Sequence, residues 1–185
     1  MEKFGNGFGD HFKEDIVTPR SAIFQNVLYI LCWVVVIVFG VYAFLMLQVV
    51  TVQFSFPALM IFLVTAAVAV LVFIYKDRVK VEYEYTFTNG TLDFARVYRA
   101  VKRQELGSMN VRNVTACGHV AHESFQRYLS MKDVEKKNWF LNRDAELYYF
   151  FFSKDSAKKM IILEPSEEMV QLIKQYIPRG VYQEN

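Results

Sequence analysis

The fold of this 185-residue chain is decided by an uncharged stretch, residues 21–75, which reads SAIFQNVLYILCWVVVIVFGVYAFLMLQVVTVQFSFPALMIFLVTAAVAVLVFIY. None of these 55 residues is Asp, Glu, Lys, Arg or His, although charged residues make up 22% of the whole chain. A soluble domain of this size seldom leaves so long a run without charge. The stretch therefore predicts a membrane protein.

The uncharged stretch is long enough for two membrane crossings. A bilayer core of about 30 Å needs roughly 20 helical residues. We predict spans over residues 27–50 and 57–75, joined by a more polar segment that ends just before Pro57. Proline suits the first turn of a helix, and in lipid the backbone must satisfy its own hydrogen bonds. Residues 21–75 are thus predicted to form a transmembrane helical hairpin.

Positive charges flank the hairpin on one side. Lys13 and Arg20 precede the first span, Lys76, Arg78 and Lys80 follow the second, and the connecting turn has no basic residue. Because Lys and Arg are enriched on the cytoplasmic side, we expect a multi-pass protein of the cell (inner) membrane with both termini cytoplasmic. Residues 1–20 mix glycines with charges of both signs, which predicts a flexible juxtamembrane arm.

Residues 76–185 are enough for one folded domain with its own core. Apolar and polar residues alternate from Val79 to Phe87 up to Asn89-Gly90, which predicts a strand, a tight turn and a partner strand. A second hairpin is predicted over residues 147–163, and an amphipathic helix follows Pro165. The irregular residues 118–142 predict only a short helix near 124–132.

A continuous aromatic run lies within the second predicted hairpin, at residues 148–152. Such a run is typical of a strand buried on both faces. We expect the C-terminal helix on one face and residues 118–142 or a partner on the other.

The order of elements predicts an α+β membrane protein. It consists of a two-helix transmembrane hairpin (21–75), then a small antiparallel β domain (76–185), a curved sheet or partial barrel with a C-terminal amphipathic helix. The segment YEYTFTNGTLD (83–93) after a two-helix anchor resembles the start of bacterial pleckstrin-homology-like (PH-like) membrane proteins. Leu106 to Val114, read as a pivot strand, and EPSEE (164–168) before the last helix are similar to the same group and to uncharacterised two-span families of Firmicutes-type bacteria. The resemblance implies a membrane-tethered binding or assembly module without catalytic residues.

A basic row is the first candidate site, and it comprises Arg96, Arg99, Lys102 and Arg103. Arg112 and the pair Lys136-Lys137 are further basic residues outside the row. Near an anionic bilayer each cation contributes about 1 kcal/mol, so the row indicates contact with lipid, phosphate or a partner. The alternative is a solvated hairpin loop. Nucleic acid is not expected as a partner, because the sequence shows no recognition motif.

A second cluster brings together possible metal ligands, namely Cys117, His119, His122 and Glu123. Thiolate, imidazole and carboxylate all bind zinc, so a metal-dependent enzyme is one alternative. The order of these residues does not match the metal-binding motifs of metalloproteases, and Gly118 indicates a turn. We therefore expect loop histidines and an ordinary buried or strand-end cysteine, with no metal, no cofactor and no enzymatic activity.

The leading hypothesis is a non-enzymatic membrane protein that presents a cytoplasmic PH-like module for binding a protein or the lipid surface. A second hypothesis is an accessory subunit of a transporter or membrane complex. Beyond the lipid bilayer, the expected partners are another protein or a second copy of the chain, bound through the hairpin.

Overall fold

A computed structural model of the chain describes residues 11–183, which divide into two units. One unit is Arg20–Val81, and the described parts of the other are residues 11–19 and 82–183. The elements in chain order are β1 (Phe12–Val17), α1 (Ile23–Val52), α2 (Phe56–Tyr75), β2 (Val81–Thr88), β3 (Thr91–Tyr98), β4 (Lys102–Asn110), β5 (Val114–His119), α3 (Glu123–Leu129), β6 (Val134–Trp139), β7 (Tyr148–Lys154), β8 (Ala157–Leu163), α4 (Glu167–Tyr176) and β9 (Tyr182–Gln183). Short 3-10 turns cover Lys76–Val79 and Val111–Asn113.

The helical unit is a pair of long apolar helices. α1 has 30 residues and α2 has 20, and both are long and apolar enough to cross a membrane. Pro57 lies in the first turn of α2, where its missing N–H costs no hydrogen bond. At the other end of α2, the Nζ of Lys76 lies 3.9 Å from the ring centroid of Phe73 and 5.2 Å from that of Trp33 in α1. This cation between two rings links the two helices.

The first sheet has the strand order β1-β2-β3-β4. β1 is antiparallel to β2, with Val17 opposite Tyr83. The Asp15 carboxylate accepts hydrogen bonds from the N–H (2.8 Å) and the hydroxyl (3.0 Å) of Ser166, next to α4. Residues 12–17 are therefore a strand, which corrects the prediction of a flexible arm there. The part of the predicted arm over residues 1–10 lies outside the described residues.

The second sheet has the strand order β6-β8-β7-β5-β9. β7 and β8 form the predicted hairpin. Of the aromatic run, Phe150 and Phe152 pack into the core that contains α4, whereas Tyr149 and Phe151 pack against Phe125 of α3. The prediction of a strand buried on both faces is confirmed. α4 covers one face of β7, and the 118–142 segment covers the other.

Residues 118–142 are more regular than predicted. They contain α3 and also β6, which pairs in parallel with β8. Four consecutive residues of β6 are exposed, so buried apolar and exposed polar residues do not alternate along this strand. The pattern therefore did not identify it as a strand.

The main core lies between the two sheets and α4. Tyr85 is fully buried there, and its hydroxyl donates a hydrogen bond to the carbonyl of Trp139 in β6. Burial raises the pKa of this phenol, so it remains a neutral donor. The hydroxyl of Ser166 caps α4 by accepting a hydrogen bond from the N–H of Met169 (3.2 Å). The predicted α+β architecture, with an apolar helix pair, mainly antiparallel sheets and a C-terminal amphipathic helix, is confirmed.

Candidate functional site

The turn between β3 and β4 presents a basic tip. Arg99 and Ala100 both adopt positive φ values, 52° and 54°, and the N–H of Val101 donates a hydrogen bond to the carbonyl of Tyr98 (3.1 Å). The side chain of Val101 is 84% exposed, and Arg99 and Lys102 flank it. An exposed apolar side chain beside two cations is typical of a surface that contacts both apolar and anionic groups.

The other two members of the basic row support the hairpin. Arg96 donates a hydrogen bond to the hydroxyl of Tyr83 (2.9 Å) and lies over the same ring. Arg103 forms an ion pair with Glu84 at 3.0 Å. The row is therefore divided: Arg96 and Arg103 hold β3 and β4 against β2, whereas Arg99 and Lys102 lie at the tip.

Glu84 lies in an unusual environment for a carboxylate on the outer face of a sheet. Its side chain is largely buried and faces Glu14 of β1 as well as Arg103. Burial, and then the hydrogen bond with Glu14, raise the pKa of Glu84, and the charge of Arg103 opposes this rise. Arg103 is thus occupied by a local partner.

The position of the basic tip within the domain follows from the strand connections. β2 and β3 are joined by the two-residue turn Asn89-Gly90, so the β3–β4 turn lies at the opposite end of the sheet. Val17 lies opposite Tyr83 near that same end. The tip is therefore at the end of the sheet where the chain leaves the domain for the helices.

Three of the four possible metal ligands, Cys117, His119 and His122, have other surroundings in the structure. Cys117 is buried in the main core, where burial raises the pKa of its thiol to about 12. The Nδ1 of His119 accepts a hydrogen bond from the N–H of Ala121 (3.1 Å), and that of His122 accepts one from the N–H of Ser124 (3.2 Å) at the start of α3. Within residues 11–183, no three His, Cys, Asp or Glu side chains group as a metal would require. The residues of the metal-enzyme alternative are therefore not brought together as a ligand group in this part of the chain.

A cleft of about 180 Å³ opens between the two sheets. It is lined by Phe94, Leu106, Gly107, Ser108, Glu135, Lys137, Trp139, Phe152, Lys154, Lys159 and Ile161. Lys137 and Lys159 form ion pairs with Glu135 at 2.9 and 3.2 Å and thereby lower the pKa of that carboxyl. No short sequence pattern reveals this cleft, because five strands (β3, β4, β6, β7 and β8) contribute to it. Of the residues that line the cleft, only Lys137 is among the basic residues that the sequence singled out.

Two sheets around one core, closed by a C-terminal helix, define a PH-like domain. The family described as bacterial PH-like domain (DUF6106) matches residues 9–183, and the chain belongs to this family. The resemblance drawn from the sequence is thereby confirmed. The comparisons with curated proteins and with solved structures gave no match.

Proposed function

We propose that the chain is a non-enzymatic module of the bacterial inner membrane, with its PH-like domain on the cytoplasmic side and its β3–β4 turn against anionic lipid. The observation that carries the proposal is the tip itself. Val101 is exposed between Arg99 and Lys102, at the end of the sheet from which the chain continues into the helices.

The lengths of α1 and α2 support membrane anchoring. At about 1.5 Å per residue they measure roughly 45 and 30 Å, and a bilayer core is about 30 Å thick. The helix pair is inserted between β1 and β2, two neighbouring strands of one sheet. Two crossings would bring both ends of the pair to the side of the membrane that holds the domain, as the proposal requires. The basic residues around the pair favour the cytoplasmic side.

The charges at the tip support contact with lipid. Two cations near an anionic surface contribute about 1 kcal/mol each, or roughly 30-fold in the ratio of contacting to free states. Val101 adds apolar area that enters the headgroup region without desolvating a charge. Arg96 and Arg103 maintain the hairpin that presents these residues.

Topology is tested by reporter fusions in bacterial cells. A fluorescent protein that matures in the cytoplasm, fused after Asn185, is expected to be bright, whereas alkaline phosphatase at the same position is expected to be inactive. The same reporters inserted between Gln53 and Ser55, in the turn between the helices, should give the opposite result. Active phosphatase after Asn185 would overturn the orientation and with it the contact with the inner leaflet.

Lipid contact is tested with a polarity-sensitive dye on the full chain reconstituted in bilayers. The dye is placed on Val101→Cys in a Cys32→Ser background, since the buried Cys117 thiol reacts slowly. In phosphatidylglycerol bilayers we expect emission at shorter wavelength than in phosphatidylcholine bilayers. The same dye on Thr88→Cys, at the far end of β2, should not respond to lipid charge.

Charge variants complete this test. Arg99→Gln with Lys102→Gln should reduce the shift by more than half. The control Lys136→Gln with Lys158→Gln removes the same charge from the outer face of the second sheet and should leave the shift unchanged. Equal emission in both lipids would reject lipid contact. If a defined membrane protein then co-purified in mild detergent, the accessory-subunit alternative would be favoured.

A further inference from the structure

The cleft lies between the two sheets and is lined by residues of β3 and β4 from one sheet and of β6, β7 and β8 from the other. Within residues 11–183, β4 is an edge strand of the first sheet and β6 is an edge strand of the second. β4 is also interrupted by a bulge at Leu106, before Gly107, whose φ is 134°. An edge strand has backbone N–H and C=O groups that no neighbouring strand uses. Both edges therefore present main-chain groups to an incoming segment, apart from the carbonyls of Ser108 and Trp139, which accept hydrogen bonds from Lys154 (3.2 Å) and Tyr85.

Charged side chains face into the cleft from one sheet. Lys137 and Glu135 of β6 point inward, whereas Lys136 between them points outward and donates a hydrogen bond to the carbonyl of Leu129 in α3 (2.6 Å). Lys154 and Lys159 add two further cations at the opening. Three lysines and one glutamate leave an excess of two positive charges, so the complementary partner is acidic.

The floor of the cleft is apolar and its volume is small. Phe94, Trp139, Phe152 and Ile161 lie beneath the lysines. The volume of about 180 Å³ is below the range of about 300–1,000 Å³ typical of small-molecule sites. It suits one or two side chains rather than a cofactor. An extended segment meets this requirement, because it binds along a strand edge and inserts alternate side chains.

We propose that the cleft between β4 and β6 binds an extended acidic segment of a partner protein. A carboxylate of the segment takes the position of Glu135 between Lys137 and Lys159, and its backbone lies along the open strand edges. Inward-facing charges also occur in proteins as protection against unwanted pairing of sheet edges. The experiment distinguishes the two roles.

The test uses the full chain in phosphatidylcholine nanodiscs and the fluorescence of Trp139. The chain contains two tryptophans, and Trp33→Phe leaves Trp139 as the only reporter. The probe is acetyl-Thr-Glu-Val-Glu-Thr-Glu-amide, and the peptide with Lys in place of Glu is its control. We expect saturable binding of the Glu peptide, at least tenfold weaker binding to Lys137→Gln with Lys159→Gln, and no response to the Lys peptide.

Matched variants separate a built site from general attraction. Lys136→Gln with Lys158→Gln removes the same charge from the same two strands on the opposite face, and should change affinity less than twofold. Glu135→Gln removes the competing carboxylate and should tighten binding. The proposal fails if the Glu peptide does not bind, if both lysine pairs weaken binding equally, or if succinate or inorganic phosphate binds as tightly. The first result would leave protection of the edges as the role of these charges.

Discussion

At the scale of single residues, the turn between β2 and β3 depends on its glycine. Gly90 has a φ of 95°, and a Cβ built on it would lie 2.8 Å from Cδ1 of Tyr176 in α4. Asn89 also has a positive φ, 49°, and its side chain accepts a hydrogen bond from the N–H of His11 (3.0 Å), just before β1. The turn therefore joins β2 to β3 and also packs against α4.

We predict that Gly90→Ala destabilises the domain more than Gly180→Ala. Both positions have positive φ, but a Cβ at Gly180 meets no atom within 4 Å. The conformational cost is about 1 kcal/mol for either change, and the crowding of Tyr176 adds about 1–3 kcal/mol at Gly90 alone. Thermal unfolding of the full chain in detergent, followed by near-ultraviolet circular dichroism, measures the difference.

The added cost at Gly90 should disappear when its cause is removed. Combining Gly90→Ala with Tyr176→Leu is expected to cost less than the sum of the two single changes. Equal effects of Gly90→Ala and Gly180→Ala would mean that Tyr176 moves aside without cost.

At the scale of elements, the sequence predicted the parts whose signals are local. The hairpins around Asn89-Gly90 and over residues 147–163 alternate or run apolar, and α4 has a cap and an apolar stripe. β1 and β6 lack such signals. β1 carries Lys13, Glu14 and Asp15 in six residues, and its partner strand lies beyond the uncharged stretch. Both strands are stabilised by neighbours distant in sequence, which periodicity does not reveal.

The candidate sites also differ in whether their residues are close together in sequence or are brought together only by the fold. The basic tip occupies one turn, so the sequence located it, although the roles of Arg96 and Arg103 depend on Tyr83 and Glu84 of the next strand. The cluster from Cys117 to Glu123 is also local, yet the Cys117 thiol is buried in the main core and the two imidazoles accept hydrogen bonds from the N–H groups of Ala121 and Ser124. The cleft needs β3, β4, β6, β7 and β8 together, and no short pattern encodes it.

At the scale of the whole molecule, one sheet is interrupted in sequence but continuous in space. Val17 and Tyr83 are paired residues of neighbouring antiparallel strands, so a short turn can connect them. The contacts of Asp15 with Ser166 and of Val17 with the core do not involve α1 or α2. These contacts of β1 therefore lie within the PH-like domain.

We predict that replacing residues 20–81 with Gly-Ser-Gly-Ser yields a soluble domain that unfolds cooperatively. The control begins at Glu82 and lacks β1, which leaves the edge of β2 open and Ser166 without Asp15. It should aggregate, or melt at lower temperature without a sharp transition. Dispersed amide resonances and thermal melts compare the two proteins. An aggregated replacement with β1 present would show that the helices are required for folding.

Because α1 and α2 separate β1 from β2 in the chain, the first sheet is completed only after both helices have been synthesised. β1 leaves the ribosome first and waits for a partner that follows it by 66 residues, from Val17 to Tyr83. At about 5–20 residues per second the delay is roughly 3–13 s, during which both helices are made. If α1 and α2 both cross the membrane as proposed, a chain that inserted one helix alone would leave β1 and β2 in different compartments, with this edge of β2 unpaired. In the proposed topology, β1 can therefore pair with β2 only when both helices, or neither, have crossed the membrane.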